Sequence, residues 1–399
     1  MSGTSGFGGV NDVQPLAAPL DAPGLDLMLM SRAQRLADGA RRVTAPNPWV
    51  GAVVAQSAEI VGEGATAPPG GPHAEVTALR AAGDRARGAT VYVTLEPCAH
   101  TGRTPPCVDA LLEAGVSRVV VAVEDPDPQV AGAGIGRLRA GGVAVDVGIG
   151  AEASNRSLAP YLLHRRRGRS YCVVKLATSL DGRIAAADGT SRWITGPEAR
   201  ADGHRLRAES QAVMVGAGTA LADRPSLTVR DAPEPDELSA PVATPSVCPP
   251  QPLRVVLDAR GRVPAEGPLF DAGLAPTLVV TAPSVRPGAV DAWLAAGAKV
   301  LTVAPADGGG VDLDATLRAL AGEGVLQVLV EGGARLAGSL VAAGLADRIV
   351  TYVAPTVLGR DGRPALDLAG PGTIADATRF TLVDVARLGD DVRLDYEPV

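Results

Sequence analysis

The sequence predicts two α/β domains in tandem, and three observations carry that prediction. Apolar runs with a helical period alternate with short β-branched runs along nearly the whole chain. The length, 399 residues, exceeds what a single core ordinarily serves. An arginine-rich helical stretch, Ala151 to Arg169, separates two such alternating series.

The elements follow in order. Residues 1–24 are rich in Gly, Ser, Ala and Pro, carry no period and are expected to form a flexible tail. Helical period starts at Leu25, with Met28, Leu29, Leu36 and Ala37 on one face. Short strands are expected at Val50–Ala55 and Ile60–Gly64. Helix 73–82, strand 90–95, helix 107–114, strand 118–123, helix 133–140 and strand 143–147 complete a layered domain over 25–150. The connector 151–169 ends in Arg165-Arg166-Arg167-Gly168-Arg169, expected to be a solvated face at the domain junction. A second domain, 170–399, opens with Tyr171-Cys172-Val173-Val174-Lys175. Its strands recur near 211–215, 254–258, 277–281, 299–303 and 326–330. It closes with runs 380–388 and 391–397 around Gly389-Asp390, an antiparallel hairpin. The stretch Asp231–Pro252, with seven prolines and no period, reads as a surface insertion.

Composition narrows the function. At 46% hydrophobic and 20% charged residues the chain can bury sizeable cores. A net charge of −7 argues against a general nucleic-acid binder, which must neutralise phosphates with Lys and Arg. Four cysteines do not make a disulfide framework in a chain this long, and Cys172 and Cys248 are expected to be free thiols. No run approaches the roughly 18 apolar residues of a membrane span. The N-terminus lacks the basic start and apolar core of a secretory signal, so the expected location is cytoplasmic.

The chemistry of the first domain lies in His73-Ala74-Glu75, Pro97-Cys98 and Pro105-Pro106-Cys107. A catalytic zinc takes three protein ligands and keeps a fourth position for water, whose pKa it lowers toward neutral. One imidazole and two cysteines supply that set. A carboxylate two residues from the histidine can take the water's proton and pass it to a leaving amine. His-x-Glu followed by Pro-Cys and a second cysteine is the zinc-deaminase signature. Here the gap is wider, with eight residues between Cys98 and Cys107. His100 lies in that gap, so a closed four-ligand knot of His73, Cys98, His100 and Cys107 is an alternative, as are two buried thiols with an unrelated histidine. The placement favours catalysis. Strand 90–95 ends just before Glu96-Pro97-Cys98, Pro106 opens a helix, and His73 opens another, so the three ligands fall at element ends.

The flanking residues resemble a known family. Asn47-Pro48-Trp49-Val50-Gly51-Ala52, Thr94-Leu95-Glu96-Pro97-Cys98, Gly102-Arg103-Thr104-Pro105-Pro106-Cys107 and Glu124-Asp125-Pro126-Asp127-Pro128 look like the deaminase half of the bifunctional riboflavin-biosynthesis deaminase/reductases. The other half is similar in Lys175-Leu176-Ala177-Thr178-Ser179-Leu180-Asp181-Gly182, Trp193-Ile194-Thr195, Ala222-Asp223, Leu227-Thr228-Val229-Arg230 and Glu331-Gly332-Gly333. The resemblance runs in one order from about Leu25 to the C-terminus. It implies a cytidine-deaminase-like α/β/α domain followed by a dihydrofolate-reductase-like α/β domain. It also implies Zn2+ and NADPH as cofactors, a phosphorylated pyrimidine as substrate and a homo-oligomer, with neither nucleic acid nor membrane as partner. Without the resemblance, another nucleobase deaminase with an inactive second domain, or a protein with a structural zinc, remains an alternative.

For the second domain, a nicotinamide cofactor needs backbone amides for its pyrophosphate, usually on a Gly-rich turn between strand and helix. Gly216-Ala217-Gly218 begins like G-x-G-x-x-G, but Leu221 stands at the third glycine, so a Rossmann site is not expected. Glu331-Gly332-Gly333 between strand and helix is the better match. The resemblance implies that Gly333, Ala334, Arg335, Leu336, Ala337, Gly338 and Ser339 cradle NADPH, with Ala177, Trp193, Thr219 and Asp223 also on the cofactor. It implies substrate contacts from Ser191, Arg207, Leu227, Arg230 and Glu331. Forked guanidinium donors on Arg207 and Arg230 suit a phosphate. Lys175, one of only two lysines, is placed near hydride transfer. The chain departs from the family at Arg224, where an acidic or amide residue is usual. It departs again at Ala259, where a hydroxyl often binds the ribose 2′-phosphate; Arg262 is the nearby cation that can supply the charge.

Overall fold

The computed structural model describes residues 22–102, 105–230 and 249–399. The first domain comprises α1 (Ala22–Ala40), β1 (Gly51–Gln56), β2 (Glu59–Ala65), α2 (Ala74–Ala82), β3 (Thr90–Val93), α3 (Cys107–Ala114), β4 (Arg118–Val121), α4 (Ala133–Ala140) and β5 (Ala144–Val147). Its sheet has the order β2-β1-β3-β4-β5, with β1 antiparallel to β2 and β3, and β3, β4 and β5 parallel. Helix α5 (Ala151–Arg167) leads into the second domain.

The second domain comprises β6 (Tyr171–Ser179), β7 (Arg183–Ala185), α6 (Pro197–Ala208), β8 (Ala212–Gly216), α7 (Ala217–Asp223), β9 (Leu253–Leu257), β10 (Thr277–Thr281), α8 (Ala289–Ala295), β11 (Lys299–Thr302) and α9 (Leu313–Gly322). It continues with β12 (Gln327–Val330), α10 (Ala334–Ala342), β13 (Arg348–Ala354), β14 (Arg363–Pro364), β15 (Phe380–Leu388) and β16 (Asp391–Pro398). Nine strands order as β11-β10-β9-β8-β12-β6-β13-β16-β15. The first seven run parallel, and β16 and β15 close the sheet antiparallel as the expected hairpin. The buried parallel strands, such as Gln327–Val330, are nearly continuous apolar runs, as a sheet covered on both faces requires.

Close backbone approach seats the helix that carries the metal motif. The faces of α2 that meet β2 are alanines, Ala74, Ala78 and Ala82, and the strand opposes them with Gly62 and Gly64. A Cβ on Gly64 would meet the Ala74 carbonyl and the Ala78 amide; one on Gly62 would meet the Ala78 carbonyl and the Ala82 amide. On the opposite face, Gly51 lies under Ala33 and Ala37 of α1. The sheet is therefore gripped from both sides at backbone distance.

Some expectations shift. Helix α1 starts at Ala22, three residues before Leu25, because Pro23 is tolerated in a first helical turn. The rest of the expected tail, residues 1–21, and most of the insertion, residues 231–248 with Cys248, lie outside the described residues. Strand β13 was not expected, although Ile349-Val350-Thr351-Tyr352-Val353 is β-branched enough to signal it. The junction arginines divide. Arg165, Arg166 and Arg167 are exposed, whereas Arg169 is buried, with its two terminal nitrogens donating to Asp347 at 2.7 and 2.8 Å. That correction follows from position: Arg169 precedes the central strand β6 and must enter the core with a partner.

Gly64→Val should lower the midpoint of thermal unfolding by a few degrees, since overpacking costs about 1–3 kcal/mol. Circular dichroism checks this, and an unchanged midpoint would show that α2 does not sit at backbone distance from β2.

Candidate functional site

His73 occupies the N-cap of α2 in extended conformation, and its carbonyl accepts from the Thr77 amide at 3.1 Å. Cys98 follows β3 on a loop, and Cys107 is the first residue of α3. The Cys107 amide donates to Cys98 Sγ at 3.3 Å, a bond to the first exposed donors of a helix end. The ligand atoms of His73, Cys98 and Cys107 lie within 4.8 Å of one another. His73 Nδ1 is 3.1 Å from Cys107 Sγ and 3.6 Å from Cys98 Sγ. Zn–N and Zn–S bonds of about 2.0 and 2.3 Å at a tetrahedral angle require roughly 3.5 Å between N and S, so this set fits zinc. His100 lines the cavity in front of the set without joining it, which favours the open arrangement over the closed knot. A hydrogen bond from the Cys107 thiol holds the Cys98 thiol well below its ordinary value, against its burial and with help from His73. Cys107 moves the opposite way, raised by that same bond and by burial.

Glu75 is buried in the first turn of α2 and faces the same cavity, of about 410 Å3. Burial pushes its carboxyl up to about 7, in the range suited to exchanging protons at neutral pH. Glu96, part of the motif but given no role by the sequence, proves to be the organiser of the cavity wall. Its carboxylate accepts from the amides of Asp125, Gly132, Gly134 and Ile135 at distances between 2.9 and 3.2 Å. Asp125 in turn accepts from the Tyr161 hydroxyl at 3.0 Å, so α5 is drawn against the cavity.

In the second domain both Gly-rich loops reach one cavity of about 770 Å3, because β8 and β12, which they follow, are neighbours. Gly216, Thr219 and Asp223 line one side; Gly333, Ala334, Arg335 and Leu336 line the other, with Ser191 and Arg262 nearby. Thr219 Oγ1 accepts from the Gly333 amide at 3.0 Å and ties the loops together. No side chain caps α10, so its N-terminal amides can serve a phosphate, and the residues present fit a dinucleotide. Ala337 and Gly338 are buried, Gly338 against the backbone of Asp367, and Ser339 is exposed away from the cavity lining. Ala177 and Trp193 are not in that lining either. Ala177 sits on β6, and Trp193 is 70% exposed beside the Arg200 guanidinium, 4.7 Å from the ring centroid.

Two of the expected substrate residues, Arg207 and Glu331, form one ion pair, whereas Ser191 lines the cofactor cavity. Arg207 forks onto Glu331 at 2.5 and 2.8 Å and donates to the Thr228 carbonyl at 2.9 Å. Although burial opposes it, Arg207 holds the Glu331 carboxyl down to about 2. Leu227 is buried at φ 53°, a left-handed conformation costly for this residue, and that turn presents Thr228 to Arg207. Arg230 is exposed, with Nη1 donating to Ser226 Oγ at 2.8 Å. Lys175 lies near Glu331, its ammonium 5.5 Å from the Tyr352 ring centroid, and burial lowers its pKa. Arg363 also lines the cofactor cavity; it lies on β14, paired with β7, both too short to show a period.

Comparison with known proteins decides the family. Residues 25–123 match the cytidine and deoxycytidylate deaminase zinc-binding region, and residues 170–394 match the RibD C-terminal domain. The chain is 42% identical to riboflavin biosynthesis protein RibD of Escherichia coli (strain K12) over 379 residues, covering 92% of this chain and 98% of that protein. The chain belongs to the RibD family. It is also 42% identical to the RibD protein of Mycobacterium tuberculosis over 353 residues, covering 88% of this chain and 91% of that one. Among solved structures, Acinetobacter baumannii RibD aligns with a TM-score of 0.82 at 39% identity, over 94% of this chain and 99% of that chain. A deaminase/reductase from Thermotoga maritima aligns with a TM-score of 0.79 at 29% identity, over 95% and 100%. As a RibD-family member the chain is a bifunctional enzyme of riboflavin biosynthesis, a zinc deaminase followed by an NADPH-dependent reductase. Among the described residues, no helix is long and apolar enough to cross a membrane.

Replacing His100 with Ala should leave about one zinc per chain by metal analysis, whereas Cys107→Ala should lose it. Loss of zinc from the His100 variant would make the site a closed one.

Proposed function

We propose that the first site deaminates 2,5-diamino-6-(5-phosphoribosylamino)pyrimidin-4(3H)-one and that the second reduces the product to 5-amino-6-(5-phosphoribitylamino)uracil. The observation that carries this reading is Glu75, buried in the cavity that His73 and Cys98 line, where the ligand atoms of His73, Cys98 and Cys107 lie within 4.8 Å of one another. Zinc, when bound, lowers the pKa of water so that it can act as a nucleophile near neutral pH. Water adds at C2, and the 2-amino group leaves as ammonia. Glu75 takes one proton from the attacking water and gives it to the ring nitrogen, then takes the second from the resulting hydroxyl and gives it to the amine, which departs as ammonia.

NADPH, when bound, supplies the hydride for C1′ of the ribosyl group. The protein's work there is positioning. Thr219, Asp223 and Gly333–Leu336 hold the dinucleotide, with Ala177, Trp193 and Ala337–Ser339 assigned to it by the family pattern. Ser191, Arg207, Leu227, Arg230 and Glu331 hold the substrate, Arg230 offering an exposed guanidinium for its phosphate. Arg262 lies in the cofactor cavity and supplies the charge that Ala259 does not. Assembly into a homo-oligomer is part of this reading. It is supported by edge strand β15, which exposes Leu382 and Val385. A cytoplasmic location agrees with the absence of a disulfide at Cys98, Cys107 and Cys172.

Two tests follow the chemistry. Glu75→Gln should keep zinc yet lose ammonia release by at least about 100-fold, the scale of a general acid/base. It should still oxidise NADPH when given the deaminated ribosylamino-uracil phosphate, while Arg230→Ala should impair that reduction and spare ammonia release. Failure of well-folded Glu75→Gln protein to reduce the deaminated compound would point to one shared site.

Arg262→Ala should weaken NADPH binding about 10-fold or more with little change for NADH, as read by fluorescence titration. Equal weakening of both cofactors would remove Arg262 from 2′-phosphate recognition.

A further inference from the structure

Helix α5 lies outside both matched family segments, 25–123 and 170–394, yet it forms part of the deaminase cavity. Leu158, Tyr161 and Leu162 pack into the core of the first domain, and Ser157 accepts from the Trp49 indole at 3.0 Å. The helix is thereby fixed, with Tyr161 and Arg165, one turn apart, facing the cavity. Arg165 is the only arginine or lysine among the described residues lining that cavity, whose other charged side chains include Glu75, Asp125 and Asp127.

We propose that Arg165 binds the phosphate of the deaminase substrate and so sets the site's preference for a phosphorylated ribosylaminopyrimidine. This rests on the substrate class given under the proposed function. A phosphate dianion entering a cavity lined by carboxylates needs a cation, and Arg165 supplies one. The side chain is held but not saturated. Its flat face lies 5.2 Å from the Tyr161 ring centroid, and its ion pair with Asp127 is long, 3.4 Å from Nε. A bidentate arginine–carboxylate pair closes to about 2.7–2.9 Å, so the fork retains donors for a second anion. Tyr161 donates to Asp125, which fixes the ring beside the partly exposed arginine at the cavity rim. Asp127 then serves as the partner that orients the guanidinium when no phosphate is present.

The test compares ammonia release from the ribosylamino 5′-phosphate and from the corresponding phosphate-free riboside, using full-length, zinc-loaded protein. In Arg165→Gln the ratio of kcat/KM for the phosphate over the riboside should fall about 10- to 100-fold, the scale of a lost charge-assisted hydrogen bond, mainly through KM. Arg165→Lys should recover part of the preference by restoring the charge. Reduction of the deaminated phosphate by the second domain reports that the variants are folded. An unchanged ratio in folded Arg165→Gln protein overturns the assignment, as does an equal loss on both substrates. If the wild-type enzyme itself releases no ammonia from the phosphate, the proposed function fails, and that outcome is distinct from a failure at Arg165.

Discussion

One carboxylate holds the deaminase cavity together. Glu96 collects four backbone amides, those of Asp125, Gly132, Gly134 and Ile135. A buried amide left without a partner costs about 1–3 kcal/mol, so four of them converging on two oxygens fix the loop after β4 relative to the loop after β3. The second of those loops carries Cys98, and the first carries Asp125, whose carboxylate receives Tyr161 of α5. A single side chain thereby sets the distance between a metal ligand and the opposite wall. Gly134 completes the arrangement: a Cβ there would strike the Pro97 carbonyl, so helix α4 can begin only where a residue without a side chain allows it. The loop that carries Cys98 is thus held by the buried Glu96 carboxylate and by close backbone contact at Gly134, as a pre-organised site requires.

Much of this was legible in the sequence, for identifiable reasons. His73, Cys98 and Cys107 stand at element ends marked by Pro72, Pro97 and Pro106, and local signals of that kind survive without tertiary information. The terminal hairpin, Phe380–Leu388 and Asp391–Pro398, was equally readable from its alternation around Gly389. What stayed hidden depends on strand order. Gly216–Gly218 and Glu331–Gly333 looked like rival phosphate loops because nothing local says that β8 and β12 are adjacent. Once paired, they form one cavity, joined by Thr219 and the Gly333 amide. The same limit hid the role of Glu96, whose partners lie at least 29 residues away. It also hid the face of α5: a helix with Tyr161 and Arg165 on one side gives no local hint of what that side meets.

The arginine run at the junction shows how location decides the behaviour of similar residues. Arg166 and Arg167 point to solvent, as a basic run usually does. Arg169, two residues later, enters the core and is matched by both oxygens of Asp347, which also accepts from the Cys172 amide at 2.8 Å. A guanidinium can be buried at that point only because its partner satisfies it and one end of β6 together.

The two halves carry separate candidate reacting groups but are physically joined. The Arg41 guanidinium, at the end of α1, lies 4.6 Å from the Trp49 ring centroid and donates to Gln327 at the start of β12 at 2.7 Å. Burial pulls its pKa down, and Glu209 of the second domain and Asp38 of the first pull it back. Its stabilising charges therefore come from both sides of the junction. Leu326 makes the same point without charge, since it packs into the core of the first domain although it precedes β12 of the second. Separating the halves would strand Arg41 and uncover Leu326, and a buried cation that loses its partners is strongly destabilising. Trp49 follows Asn47 and Pro48, which line the deaminase cavity, while Glu209 caps α6, which carries Arg207 to Glu331. The contact that docks the domains is thus built from segments that each reach an active site. The candidate reacting groups are separate, and the stability of either site draws on both domains.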